Sequence, residues 1–359
     1  MIGIIGAAGA IGKECTKLLN NYGIKPIKLG VRNNTDVYNK HVNITSFFDL
    51  EDDLSFNFVD DCDVLINCSY CTEPTILNFI NKLPGYKLKI IDLNYYKFKK
   101  QVNFEDNILF YGIGSSPGLM EYLPKFGASF FDRINNISID YLTSGKFSYS
   151  AAKQYLEYLE NDEFYPKTIF KDGELTSCTI DNIEEKIKIF DNIWYKFPYM
   201  DTRTLKICKL INPNIANFNI CIKDGVMKKY LENIKVDEVD LKEKAKKMAC
   251  LSDVDCFKND KTCGFILNVK GSYKEKNGEL SVVLKSSTPE RMTALTTVAT
   301  TLLVQEHSYE NESRNYFDMS DILINNSLLK KMKEIDTSFF YQISDKEIDY
   351  KNYFKSGDI

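Results

Sequence analysis

Ile2-Gly3-Ile4-Ile5-Gly6-Ala7-Ala8-Gly9-Ala10-Ile11-Gly12, residues 2–12, is a short apolar run leading straight into a Gly-x-x-Gly-x-x-Gly turn. Ile2–Ile5 reads as a buried strand. Ala10–Asn21 reads as a helix with Ile11, Cys15, Leu18 and Leu19 on one face, closed by Gly23. Between them, Gly6 permits a tight turn, Gly9 lets backbone approach a pyrophosphate, and Gly12 lets the helix pack closely on the strand. The first N–H groups of a helix have no partner within it and carry partial positive charge, so they suit a phosphate. Three glycines alone also describe a plain flexible turn. A strand before and a helix after are the context that makes them a dinucleotide-binding signature. Gly6, Ala8, Gly9, Ala10, Ile11 and Gly12 are therefore candidate cofactor contacts.

The pattern continues downstream. Pro26–Val31, Val42–Ile44, Asp63–Asn67, Leu88–Asp92 and Ile108–Tyr111 read as strands, and Pro74–Leu83 as a helix. Such alternation predicts parallel strands joined by right-handed crossovers, an α/β domain of Rossmann type. At the end of the second strand an acidic residue would hold the ribose hydroxyls of NAD. Here Arg32 and Asn33 follow Val31 instead, and a guanidinium suits a 2′-phosphate. That favours NADP, with NAD as the alternative and a plain surface arginine as the competing reading. Cys68 and Ser69 end the fourth strand and should border the adenine or the nicotinamide ribose. Cys68-x-x-Cys71 has no second pair at zinc spacing. It reads as ordinary thiols, like Cys250, Cys256 and Cys263, and no metal is expected.

After Ser116-Pro117 the periodicity changes. Gly118–Phe131 reads as helix. Ile137–Leu142, Thr176–Asp181, Lys186–Phe190 and Phe218–Ile222 read as strands. Phe265–Tyr273 and Glu279–Ser286 form a predicted hairpin turning at Asn277-Gly278. Pro289–Glu306 is a strong helix with Pro289 and Glu290 in its first turn, and Ser320–Ile335 is a further one. The expected architecture is a dinucleotide-binding domain over 1–118 and a substrate-binding α+β domain with a largely antiparallel mixed sheet over 119–290. C-terminal helices over 291–359 should pack back on the first domain.

With 359 residues, 44% of them apolar, the chain can build two cores. A formal charge of −4 argues against general affinity for nucleic acid or anionic membranes. The ten cysteines lack framework spacing, no basic n-region precedes the apolar start, and no run of about 18 apolar residues occurs. A reduced, cytoplasmic protein is the expectation, acting on a small molecule, with a homodimer through the second domain's sheet.

Residues 108–149 resemble the saccharopine dehydrogenase/reductase family. Ile108–Leu119, ILFYGIGSSPGL, is similar to that family's strand and Gly-x-x-Pro-Gly-Leu segment. The following EYLPKFGASFFDRINNISIDYL is similar to its helix and first strand of the second domain. Gly145-Lys146-Phe147-Ser148-Tyr149-Ser150 resembles its Tyr-Lys-Phe-Ser-Trp-Ser segment, with Tyr149 in the Trp place. The glycine turn, Gly30-x-Arg32, the DVLIN strand and Asp92 also fit. The Thr293–Glu306 helix and the tail after Asp318 agree more loosely, and residues 160–285 hardly at all. The resemblance implies NADP-dependent hydride transfer to a C=N group of an amino-acid-derived substrate, or oxidation of a secondary amine. The family's amino-acid pocket cannot be traced in the drifted middle of the second domain.

For an imine the substrate can arrive already protonated, so a strong acid residue is not required. The two histidines read as structural, His41 before a strand and His307 capping a helix. Asp92, at the carboxyl edge of its strand, is a candidate catalytic residue or a turn carboxylate. Ser115 and Ser116 are an anion cradle or plain helix caps. Lys146, Ser148 and Tyr149 are candidates to touch substrate or move a proton. Arg203 and Arg291 are substrate-carboxylate clamps or, on the blander reading, surface arginines. Tyr149-x-x-x-Lys153, with Ser138 upstream, also looks like the acid pair of short-chain dehydrogenases, which would make the chain a carbonyl reductase. A non-catalytic NADP-binding regulator is the other alternative.

Overall fold

The computed structural model describes residues 1–32, 42–52, 57–83, 85–98, 102, 104–160, 164–178, 186–233, 240–258, 261–307, 314–322 and 326–346. These fall into two compact units, each assembled from separate stretches of chain. One comprises Met1–Tyr122 and Glu290–Phe339, the other Leu123–Pro289 and Phe340–Ile359.

The first unit opens with β1 (Ile2–Ile5), α1 (Ala10–Asn21), β2 (Lys28–Val31), β3 (Ile44–Phe47), β4 (Val64–Asn67), α2 (Glu73–Asn81), β5 (Lys89–Asp92) and β6 (Ile108–Tyr111). With a later strand, β16 (Tyr316–Asp318), these form a seven-stranded sheet in the order β16-β6-β5-β4-β1-β2-β3. Every pairing in it is parallel. β1, β2 and β4 are buried at every position, as parallel strands covered on both faces must be. β3, at one edge, is mostly exposed and lies slightly beyond the expected Val42–Ile44. One core cluster sets Leu65, Ile90 and Leu109 of the strands against Ile76, Phe79 and Ile80 of α2.

The second unit runs α3 (Met120–Ala128), β7 (Arg133–Ser144), α4 (Tyr149–Glu160), β8 (Phe164–Pro166), β9 (Thr168–Lys171), β10 (Glu174–Ser177), β11 (Lys186–Ile189) and β12 (Asn192–Asp201). It continues with α5 (Thr202–Ile211), β13 (Ile215–Lys223), α6 (Val226–Asn233), α7 (Leu241–Lys258), β14 (Thr262–Tyr273) and β15 (Lys276–Ser286). The first residues of α3 belong to the other unit. The chain then returns to the first unit through α8 (Pro289–Glu306), β16 and α9 (Ser327–Ile335), and re-enters the second with β17 (Phe340–Ser344). The second sheet is mixed and mostly antiparallel. Its main path is β10-β9-β13-β7-β14-β15-β17, with β12 also on β13. β7 and β13 form its parallel pair.

Several expectations need correction. The β14–β15 hairpin turns at Lys274-Glu275, both at positive φ (47° and 65°), and not at Asn277-Gly278. The cause is packing. Gly278 pairs with Gly271 inside the ladder, and Phe131 lies where a Cβ on either glycine would point. Lys274 N also donates to Asp132 Oδ2 at 2.8 Å, pinning the turn. The helix expected from Gly118 starts at Met120, because Ser116, Pro117 and Gly118 have non-helical dihedrals. The tail after 291 is not purely helical: β16 adds to the parallel sheet and β17 pairs with β15. α4, α5 and α7 interrupt what reads in sequence as a run of strands.

α8 is buried from Ala294 to Val304 although rich in threonine. Thr296, Thr297 and Thr301 each donate to the carbonyl four residues back, so their hydroxyls enter the core satisfied.

Candidate functional site

The turn between β1 and α1 is built on backbone contacts. Gly6 sits at φ 74°, in the left-handed region that favours glycine. Its N–H and that of Ala7 both donate to Gly30 O, at 3.1 and 3.2 Å. Gly9 N donates to Gly6 O at 2.9 Å, folding the loop back on itself. A Cβ on Gly12 would overlap Gly6 O and come within 2.8 Å of Ala7 Cα. Gly12 therefore sets how closely α1 meets β1. The helix begins at a Gly9 N-cap with no side-chain capping bond and no acidic residue in its first turn. Gly9 and Ala10 are exposed, Ala8 and Ile11 half-buried. The positive end of the helix dipole is thus open where the glycines clear a path. β1 lies between β2 and β4, so the turn stands at the carboxyl edge where strand order reverses, the usual ligand crevice of open α/β sheets.

Arg32 is exposed directly beyond β2. Asn33 and His41 lie outside the described residues. Cys68 and Ser69 follow β4 and border the turn: Cys68 N donates to Ile5 O at 3.0 Å, and a Cβ on Gly6 would stand 3.0 Å from Ser69 N. Ser115 is buried, its Oγ 2.7 Å from Thr293 Oγ1 of α8. That pairing favours its structural reading.

Asp92, the last residue of β5, is fully buried. Its Oδ2 accepts from Asn67 Nδ2 and Tyr96 OH, each at 2.9 Å. Its Oδ1 accepts from Asn94 N and Asn94 Nδ2, each at 2.8 Å. Asn67 Oδ1 in turn accepts from Ser69 N at 3.0 Å and Ser69 Oγ at 2.6 Å. Asn94 Nδ2 also donates to Ser69 O at 2.8 Å. Asp92 therefore anchors the Ser69 loop beside the glycine turn through two asparagines. Burial raises its pKa to about 6 against the pull of these four donors, leaving it ionised at neutral pH. Burial, and then the Asp92 charge, push the Cys71 thiol up to about 12, so it stays protonated.

The remaining candidates lie elsewhere. Lys146, half-exposed, pairs with Asp253 at 2.8 Å, and this bond raises its pKa. Ser148 Oγ accepts from Ala151 N at 3.1 Å, capping α4. Tyr149 is exposed at the start of α4. Lys153, one turn on, is 3.2 Å from Glu157. Arg203 is buried, with Nε 2.9 Å and Nη2 2.6 Å from Asp201 Oδ2, and Asp201 caps α5. Arg291 donates to Asp336 at 2.6 Å and Glu14 at 3.0 Å. Both guanidiniums are held by carboxylates of their own unit, and the burial of Arg203 corrects its reading as a surface arginine. His307 Nδ1 lies 2.8 Å from Leu303 O, at the end of α8. Among the described residues no three His, Cys, Asp or Glu side chains gather as a metal site. No described helix is long and apolar enough to cross a membrane.

No family model and no curated protein sequence matches the chain. Solved structures do. An engineered D-amino acid dehydrogenase bound to NADP+ is 12% identical over 91% of this chain and 95% of its own, with a TM-score of 0.47. The DAP dehydrogenase of C. glutamicum, in complex with DAP, is 12% identical over 91% and 94%, with a TM-score of 0.46. A dehydrogenase (MviM) from Clostridium difficile is 10% identical over 94% and 97%, with a TM-score of 0.37.

The structure thus gathers Gly6 to Gly12, Cys68 and Ser69 around one turn, with Asp92 supporting them from below. Lys146, Ser148 and Tyr149 belong to the second unit. Asn67, Asn94 and Tyr96 were missed in the sequence. The available sign was Asn67 itself, a polar residue directly after the apolar run Val64–Ile66.

Proposed function

We propose that the chain is an NADP-dependent oxidoreductase acting on a C=N group of an amino-acid-derived substrate, or on the corresponding secondary amine. The observation that carries the first part is the uncapped start of α1, reached over Gly6, Gly9 and Gly12 at the point where strand order reverses. The cradle fits a pyrophosphate, because a Cβ at Gly12 would fill the close approach that aims these amides. Ala8, Ala10 and Ile11 N–H would bind the phosphates, Arg32 the 2′-phosphate, and the Cys68–Ser69 backbone would border a ribose. The nicotinamide supplies or accepts the hydride when bound. The substrate class rests on the resemblance of residues 108–149. A protonated imine needs orientation and exclusion of water more than an acid. Lys146, Ser148 and Tyr149 are the residues we assign to substrate contact.

Calorimetric titration of the full chain with NADPH and NADH tests the cofactor. NADPH should bind the tighter. Arg32→Ala should weaken NADPH by roughly ten- to a hundred-fold, as expected for losing a charged hydrogen bond of about 1.5–3 kcal/mol, and leave NADH nearly unchanged. Absence of binding by either at millimolar concentration overturns the proposal. Consumption of NADPH with mixtures of amines and 2-oxo acids then tests the reaction. Tight binding without turnover on any C=N compound would instead mark a non-catalytic NADP-binding protein.

A further inference from the structure

We propose that Cys15 and Cys68 are a reversible dithiol–disulfide pair whose oxidation closes the dinucleotide site; the closure, though not the disulfide, rests on the function proposed above. Their sulfurs lie 3.9 Å apart. Cys15 is fully buried on α1, the helix whose first turn faces the glycines. Cys68 is half-buried, so an oxidant from solvent can reach it. The other cysteines of this unit have different surroundings. Cys62 Sγ donates to Phe58 O at 3.5 Å, and Cys71 Sγ lies 2.9 Å from Tyr96 OH.

The consequence is geometric. A disulfide holds its sulfurs about 2.05 Å apart, so the pair must close by roughly 2 Å. Cys68 follows β4, and a Cβ on Gly6 would lie 3.2 Å from its carbonyl carbon. Drawing Cys68 toward α1 therefore displaces the backbone that lines the glycine turn. A phosphate cradle made of fixed amides tolerates such a shift poorly, since displacements near 1 Å degrade positioning.

The oxidant is a low-molecular-weight disulfide. The Cys68 thiolate attacks one of its sulfurs, and the small S–S bond breaks. The departing thiolate takes up the proton that Cys68 released. Cys15 then attacks the Cys68 sulfur of the mixed disulfide, expels the second small thiolate and gives up its proton to it. Two protein thiols are oxidised and one small disulfide is reduced to two thiols. In the reduced pair the contact with Cys68, and then burial, hold the Cys15 thiol well above the usual range; burial persists once Cys68 carries the small thiol, so the Cys15 attack is the slower step. Excess small thiol runs the sequence backward.

The full chain should be incubated with oxidised glutathione, quenched by alkylation, mapped by mass spectrometry and titrated with NADPH. The expected result is a Cys15–Cys68 cross-linked peptide, removed by dithiothreitol, together with at least a ten-fold loss of NADPH affinity. Cys15→Ala, or Cys15→Ser if the alanine variant folds poorly, should form no such cross-link and keep its NADPH affinity after oxidant. Recovery of both thiols free, or of a mixed disulfide at Cys68 alone, overturns the pair. A cross-link with unchanged NADPH affinity overturns the closure. Because the cross-link is read by mass, a reduced chain that binds no dinucleotide would overturn the proposed function without deciding against the disulfide.

Discussion

Gly12→Ala is expected to raise the dissociation constant for NADPH at least a hundred-fold while leaving the far-ultraviolet spectrum of the folded chain intact. The added carbon would overlap Gly6 O and approach Ala7 Cα at 2.8 Å. Both obstacles are backbone, so no side chain can rotate away. Overpacking of this kind typically costs about 1–3 kcal/mol. Relief comes from sliding α1 off β1, which carries the first-turn amides away from the position a pyrophosphate needs. Gly23→Ala is the control for a glycine change in itself. Gly23 stands at φ 97° with nothing near its missing Cβ, so backbone strain there should lower stability and spare affinity. NADPH binding by Gly12→Ala at wild-type strength would sink the assignment of this turn.

Asp92→Ala should be the most destabilising single change among the polar residues of the first unit, by roughly 3–5 kcal/mol. It removes an acceptor from Asn67 Nδ2, Tyr96 OH and both Asn94 donors in a buried place, at about 1–3 kcal/mol for each group left without a partner, while Asn94 Nδ2 keeps Ser69 O and Tyr96 OH keeps Cys71 Sγ. Asp92→Asn keeps the shape but turns an NH2 toward donors, so it should also destabilise, though less. The two carboxamide and carboxylate forms differ in pH response. Asp92 is raised in the folded state to about 6 from a usual 3.8, so the folded chain holds this proton when the unfolded one has lost it. Its contribution favours folding most below about pH 4 and is lost as pH rises through 6. The stability difference between wild type and Asp92→Asn should therefore grow from pH 7 to pH 5, by at most about 1.4 kcal/mol per pH. Denaturant melts across that range check it. A difference that shrinks on acidification would show that the four donors, not burial, govern this carboxyl.

Much of the first unit was legible because its signals are local. Apolar runs too short for helices, glycines at fixed spacing and a turn at each strand end identify β1, α1, β4, β5 and β6 from the residues alone. The Asp92 network was not legible, since Asn67, Asn94 and Tyr96 become neighbours only when β4 and β5 align. The second unit resisted for a related reason. α7 mixes lysines and apolar residues with little sidedness. Asn277-Gly278 has the composition of a turn, yet Phe131, far away in sequence, packs against Gly278 and its ladder partner Gly271 where side chains would stand. Arg203 and Arg291 carry no sequence mark of the carboxylates that claim them.

The interleaving of the two units bears on how the protein is made. The parallel sheet lacks β16, and its buried helix α8 is missing, until residues 290–339 have left the ribosome. The second sheet waits still longer for β17. Neither unit can complete itself behind the growing end of the chain, as consecutive domains often do. Both cores therefore stay unfinished until residues 290–344 have emerged, and a nascent chain stalled before residue 290 should stay open to protease in both.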